Sequence, residues 1–169
     1  MYKIVCFGGG GIRGIFQSHF ISLLLKSNGR IFNSVNLISG TSVGSFVAAA
    51  LSLGNKVNFD DMSKTIQEET KYIFTDIDSP SLFLKGIFKR SIFDVQKIHD
   101  IAKKCFGGLK LSSVEKDLLI TGTAMINMSP RIFSNMNKSD KNLFIHDIVT
   151  SSCSAPIFLL PISLIISIM

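Results

Sequence analysis

The sequence predicts an α/β fold, a parallel sheet with helices on its faces. Two observations carry this. A short apolar, β-rich run passes into a glycine-rich turn and then a stretch of helical length, and residues 34–54 repeat the pattern. Right-handed crossovers put both turns at the carboxyl edge of such a sheet, where ligand sites of open α/β folds lie, so residues 8–14 and 40–44 are expected to meet.

The elements follow in order. "YKIVCF" reads as a buried strand that ends in the glycines of "GGGG". "IFQSHFISLLLK", residues 15–26, has helical length and apolar spacing, and Gly29 in "SNGR" ends it. "SVNLIS" reads as a second buried strand, interrupted by "GTSVG", and "SFVAAALSLG" as a small-residue helix closed by Gly54. Residues 59–74 form a polar-faced helix with Asp60 and Asp61 at its positive end. "DSPSLFLKGIFKRSIF" is an apolar loop or broken helix, and a helix over 94–106 places Val95, Ile98, Ile101, Ala102 and Cys105 on one side. "DLLITGTAMI" and "PRIFSN" are strand candidates, and "NLFIHDIVTSSCSAP" holds a short helix stopped at Pro156.

Composition bounds the function. A chain of 169 residues, 46% hydrophobic and 18% charged, suits one folded domain over residues 1–169. Its net charge of +6 points to anionic surroundings, and residues 1–59 carry five cations and no acid. With no basic run longer than two residues, a phospholipid surface is the expected partner and nucleic acid is not. Cys6, Cys105 and Cys153 are too few and too scattered for a disulfide framework or a zinc site. No signal-peptide segment follows "MYKIVCF", so a cytoplasmic setting is expected, peripheral at membranes. The apolar stretch "APIFLLPISLIISIM" is shorter than a membrane span and holds Pro156 and Pro161, so it reads as a buried strand.

Gly9, Gly11 and Gly14 satisfy G-x-G-x-x-G after a strand and before a helix. A dinucleotide site also needs an acid about 20 residues on, yet the first acid in the chain is Asp60. A phosphate-binding P-loop ends in Gly-Lys-Ser/Thr, and here Ile15 follows Gly14. "GTSVG" gives the bare backbone a different task. Gly40-x-Ser42-x-Gly44 places a serine on a strained strand-to-helix turn with its hydroxyl exposed, at the helix end that favours an anion. Acyl transfer builds charge on the former carbonyl oxygen, which free backbone amides stabilise. The glycine run supplies such amides, and Arg13 could fix it by reaching carbonyls.

"GGGGIRG", "GTSVGSFVAAALSLG" and "SSCSAP" ahead of an apolar strand resemble the patatin-like phospholipase family. The resemblance implies a three-layer α/β/α sandwich with a mainly parallel sheet. It also implies a Ser-Asp dyad, without metal or other cofactor, that hydrolyses fatty acyl esters of phospholipids or acylglycerols. By motif match, Ser42 takes the nucleophile position and the amides of Gly9, Gly10 and Gly11 the oxyanion position, with Arg13, Gly14, Gly40 and Gly44 supporting the motifs. Gly8 stands where many members have aspartate.

The family's base is the aspartate of a D-G-G or D-G-A motif after the proline-containing segment. No acid follows Asp147, so the domain is expected to be C-terminally incomplete and at most weakly active. Asp147 reads as a helix-start carboxylate. The rival enzyme reading is a Ser-His-Asp esterase ordered Ser42, Asp94, His146, with His146 more naturally a core or surface histidine. His19 and His99 read as plain helix residues. The rival of another class is a non-catalytic membrane-associated remnant, in which "LFLKGIFKR" docks through Phe83, Phe88, Lys89 and Arg90.

Overall fold

The computed structural model describes residues 1–74 and 95–154. "LFLKGIFKR", Asp94, Pro156 and the apolar stretch after it lie outside those residues.

Four strands form one sheet in the order β1 (Ile4–Phe7), β2 (Leu37–Thr41), β3 (Asp117–Ala124) and β4 (Ser129–Ser134). β1 and β3 both run parallel to β2, while β4 returns antiparallel to β3. The return is a short turn over residues 125–128, too short for the crossover that a parallel partner needs. The sheet is therefore mixed, with helices on both sides, as an α/β fold requires.

Between β1 and β2 runs α1 (Gly14–Ser27), and after β2 comes α2 (Gly44–Leu53). Every residue of α2 is buried, and the helix lies against β2 while touching β1 and β3. Its three alanines favour helix and permit this close approach, and Gly54, at φ 59°, ends it. The Asn58 side chain then accepts the Asp60 amide at 3.0 Å and opens α3 (Phe59–Phe74).

Two further helices, α4 (Val95–Phe106) and α5 (Ile145–Cys153), pack on each other, and α5 also lies against β3. Ile101, Ala102 and Phe106 of α4 are buried, with Ile98 and Cys105 packed beside them. Gly107, at φ 53°, stops α4 and sends its amide back to the Lys103 carbonyl. One core joins Ile38 and Leu118 of the sheet to Val47, Phe106, Ile145 and Val149 of the helices.

Three expectations change. β1 is not a buried strand: Ile4 is 56% exposed and Cys6 is exposed, while Val5 and Phe7 pack on the core. The cause is its place at the edge of the sheet, where among the described residues it has one neighbour. The second strand starts at Leu37 rather than Ser34, since the chain from Gly29 to Ser34 is taken up by turns. The buried face of α1 holds Gly14, Ser18, Ile21 and Ser22, leaving Phe16, Phe20 and Leu23 exposed. Gly14 faces inward because it is pressed against Val43 of the serine turn, and Ser22 because its hydroxyl donates to Asp60 of α3.

Candidate active site

The glycine turn and the serine turn meet at the carboxyl ends of β1 and β2. A Cβ on Gly44 would lie 2.7 Å from the Gly8 carbonyl oxygen, and one on Gly14 would sit inside the Val43 side chain. Only hydrogen at those two positions lets α1 and α2 start side by side. A Cβ on Gly40 would lie 2.6 Å from Ser45 Cα, so the first motif glycine is what allows the helix to turn back over its strand.

Ser42 follows β2 at once and has φ 54°, a left-handed conformation that costs a serine of order 1–3 kcal/mol. The surrounding bonds hold it there. The Ser42 carbonyl accepts the Ser45 amide at 2.8 Å and the Ser45 hydroxyl at 2.5 Å. The Ser42 amide donates to Ser152 Oγ at 2.8 Å, and that hydroxyl donates to the Thr121 carbonyl at 2.6 Å. Thus α5 is tied to β3 and to the serine turn through one side chain. With no charged residue in α2, nothing on the helix itself offsets the positive end of its dipole beside Ser42.

Gly9 stands directly beside Ser42, since a Cβ built on it would come within 3.1 Å of the Ser42 Cβ. Gly10 and Gly11 follow, with Gly11 at φ 53°. Among the described residues none of the Gly9, Gly10 and Gly11 amides donates a hydrogen bond. The Gly10 carbonyl accepts both the amide and, at 3.5 Å, the Nε of Arg13, so Arg13 folds back on the loop. The Gln17 amide holds the Gly8 carbonyl at 3.0 Å, and a side chain at Gly8 would enter open space. The geometry thus brings together Gly9, Gly10, Gly11, Arg13, Gly14, Gly40, Ser42 and Gly44.

It does not bring His146 there. His146 Nδ1–H donates to the Gly107 carbonyl at 2.8 Å and its Nε2 faces Asp147 Oδ1 at 3.4 Å. Six helical steps take the chain from it to Ser152, a rise of about 9 Å. Asp147 stands in the first turn of α5 and faces His99, again away from Ser42. Nearest in kind to a base is Cys153, buried beneath Ser42 and Ser45. Burial pushes its thiol up to about 12 against a smaller downward pull from those two hydroxyls, so it stays a neutral thiol and takes no proton.

Sequence reasoning missed Ser152, Thr121 and Gln17. Ser152 lies inside the serine-rich "SSCSAP", where its neighbours offered equally good hydroxyls. Only the end-on approach of α5 to the sheet singles it out.

This arrangement defines a class, an open mixed-sheet α/β protein in which a bare βα turn and a serine-bearing βα turn share one sheet edge. The chain belongs to the patatin-like phospholipase family, whose family model matches residues 5–164. It is 25% identical over 176 residues to patatin-like protein 2 of Oryza sativa subsp. indica, covering 94% of this chain and 44% of that protein. It is 27% identical over 177 residues to patatin-like protein 2 of Arabidopsis thaliana, with the same coverage. The chain therefore spans less than half the length of the curated relatives it matches. Among solved structures it is similar to VipD from Legionella pneumophila, with a TM-score of 0.56 and 15% identity over 94% of this chain and 43% of that one. That likeness concerns the fold.

Proposed function

We propose that these residues form the nucleophile and oxyanion half of a lipid acyl hydrolase acting on phospholipid or acylglycerol esters at a membrane surface. The observation that carries the reading is how closely Gly9 lies to Ser42, so that a Cβ added to Gly9 would come within 3.1 Å of the Ser42 Cβ, at a shared sheet edge, in a chain of this family. In the proposed reaction Ser42 Oγ bonds to the ester carbonyl carbon and loses its proton. The carbonyl oxygen takes up the electron pair and faces the amides of Gly9, Gly10 and Gly11. Each such donor is worth roughly 3 kcal/mol in the transition state. Collapse expels the lipid alcohol, which takes a proton, and water then cleaves the acyl-serine to fatty acid and free Ser42.

Among the described residues Asp147, His146 and Cys153 are unsuited to take the Ser42 proton for the reasons above.

A fluorophosphonate with a long acyl tail tests the assignment. Mass mapping is expected to find the adduct on the Ser42 peptide, faster with the long tail than with a methyl group, and absent from Ser42→Ala. Equal labelling of Ser42→Ala would overturn it.

A further inference from the structure

Away from the serine, α4 and α5 bring two imidazoles and a carboxylate to one point. His99 Nε2 lies 3.2 Å from Asp147 Oδ1, and His146 Nε2 lies 3.4 Å from the same oxygen. All three ligand atoms fall within 4.8 Å of one another. We propose that His99, His146 and Asp147 bind a zinc-class divalent cation that clamps α4 to α5. This goes beyond the hydrolase reading and does not depend on it.

The separations suit such an ion. Bonds of about 2.0–2.1 Å at tetrahedral angles set neighbouring ligand atoms about 3.3 Å apart, which two edges of the triangle already match. The third edge closes by a turn of the His99 ring, which is the more exposed of the two.

The hydrogen bonds point the same way. His146 gives its Nδ1–H to the Gly107 carbonyl, which fixes the ring and turns Nε2 toward the Asp147 carboxylate. Gly107 is itself fixed by its return bond to Lys103, so the supporting carbonyl is part of the α4 terminus. On the other ring, His99 Nδ1 has the Asp100 carboxylate at 3.8 Å and the Gln96 amide at 3.5 Å. An anionic neighbour therefore stands by to face the Nδ1 proton when Nε2 is given to a metal.

The setting suits a cation as well. The His146 side chain is 10% exposed, against 22% for His99 and 26% for Asp147. His99 and Asp147 are thus the solvent-facing members of the three, and water can supply the fourth ligand to this nitrogen–oxygen donor set of borderline metals. The edge-on contact of the two imidazoles, with centroids 5.2 Å apart, and the stacking of Phe144 on His146 hold the rings in place. Because α5 also carries Ser152, the cation would steady the helix that holds the Ser42 amide.

The test uses metal-free protein in a Cys6→Ser background, so that the exposed thiol adds no ligand, with Zn²⁺ and Co²⁺ as probes. One equivalent of Co²⁺ is expected to give visible bands of a four-coordinate nitrogen–oxygen site, and Zn²⁺ to displace it and raise Tm. His99→Ala and Asp147→Asn should each weaken binding by at least about tenfold. His19→Ala, on the exposed surface of α1, should change nothing. No bands and no Tm shift, or binding unaltered in both His99→Ala and Asp147→Asn, would overturn the site and leave a plain proton-bridged cluster. His146→Ala is a third variant, with the other two sufficient should it fail to fold.

Discussion

Gly8 and Gly44 face each other where the two turns touch, yet they carry opposite steric demands. Gly44 has a carbonyl oxygen where its Cβ would be, whereas Gly8 opens onto free space with ordinary φ. Gly44→Ala is therefore expected to cost about 2–3 kcal/mol and lower Tm by about 5–10 °C, as overpacking against rigid backbone does. Gly8→Ala should stay within about 0.5 kcal/mol of the parent. Thermal melts of the two variants side by side check this, and equal losses would mean that the turns do not meet as described. Ser42 belongs to the same scale. Its φ of 54° is a conformation that glycine would adopt freely, so a serine there is a local cost set against what its hydroxyl does.

At the scale of elements, α5 is a strut with different chemistry at its two ends. Its first turn holds His146 and Asp147, and its last holds Ser152 between the Ser42 amide and the Thr121 carbonyl. Ser152→Ala strips a partner from both groups at once and is expected to destabilise by about 1–3 kcal/mol in a denaturant titration. It should also slow fluorophosphonate labelling of Ser42, which a purely structural serine remote from the turn would not do. Labelling at the parental rate in a folded Ser152→Ala protein would show that the serine turn keeps its shape without α5.

Much of this element layout is legible in the sequence, and what is not has a physical cause. Glycine turns, the helix periods of α3 and α4, and the two opening strand–helix units are local patterns, so residues 1–74 read almost to the boundary. The direction of β4 depends on the length of one turn, which the "MINM" run disguises as a continued strand. The inward face of α1 escapes because periodicity assumes that apolar side chains face the core, whereas here close packing selects Gly14 and the bond to Asp60 selects Ser22. The candidate site is legible through its two motifs. The histidine cluster is not, since His99 and Asp147 are 48 residues apart and each looks ordinary in its own helix.

For the whole molecule, the layers are held by polar links as well as by the common core. Asp60 at the start of α3 accepts from Ser22 of α1 and pairs with Lys26 at 3.1 Å, which joins the two helices. The Ser22 hydroxyl first, then the Lys26 ammonium, holds the Asp60 carboxyl below its usual 3.8. A carboxylate depressed in the folded state adds stability above its unfolded pKa and loses that contribution as pH falls through the lowered one. The stability gap between the parent and Asp60→Asn should therefore be full above about pH 4.5 and shrink steadily in more acid solution. Denaturant melts across that range check the sign, and a gap that widens on acidification would contradict the assignment. Among the described residues no helix is long and apolar enough to cross a membrane.

The central claim is that Ser42 is the nucleophile and attacks beside the glycine amides. The pH dependence of fluorophosphonate incorporation, read by mass mapping of the Ser42 peptide, tests this most directly. Since His99 and His146 stand away from Ser42, the rate should show no inflection near the ordinary imidazole range of about 6.5. An inflection there that His146→Ala removes would reveal an imidazole at work. That result, or an adduct on any residue other than Ser42, would contradict the account.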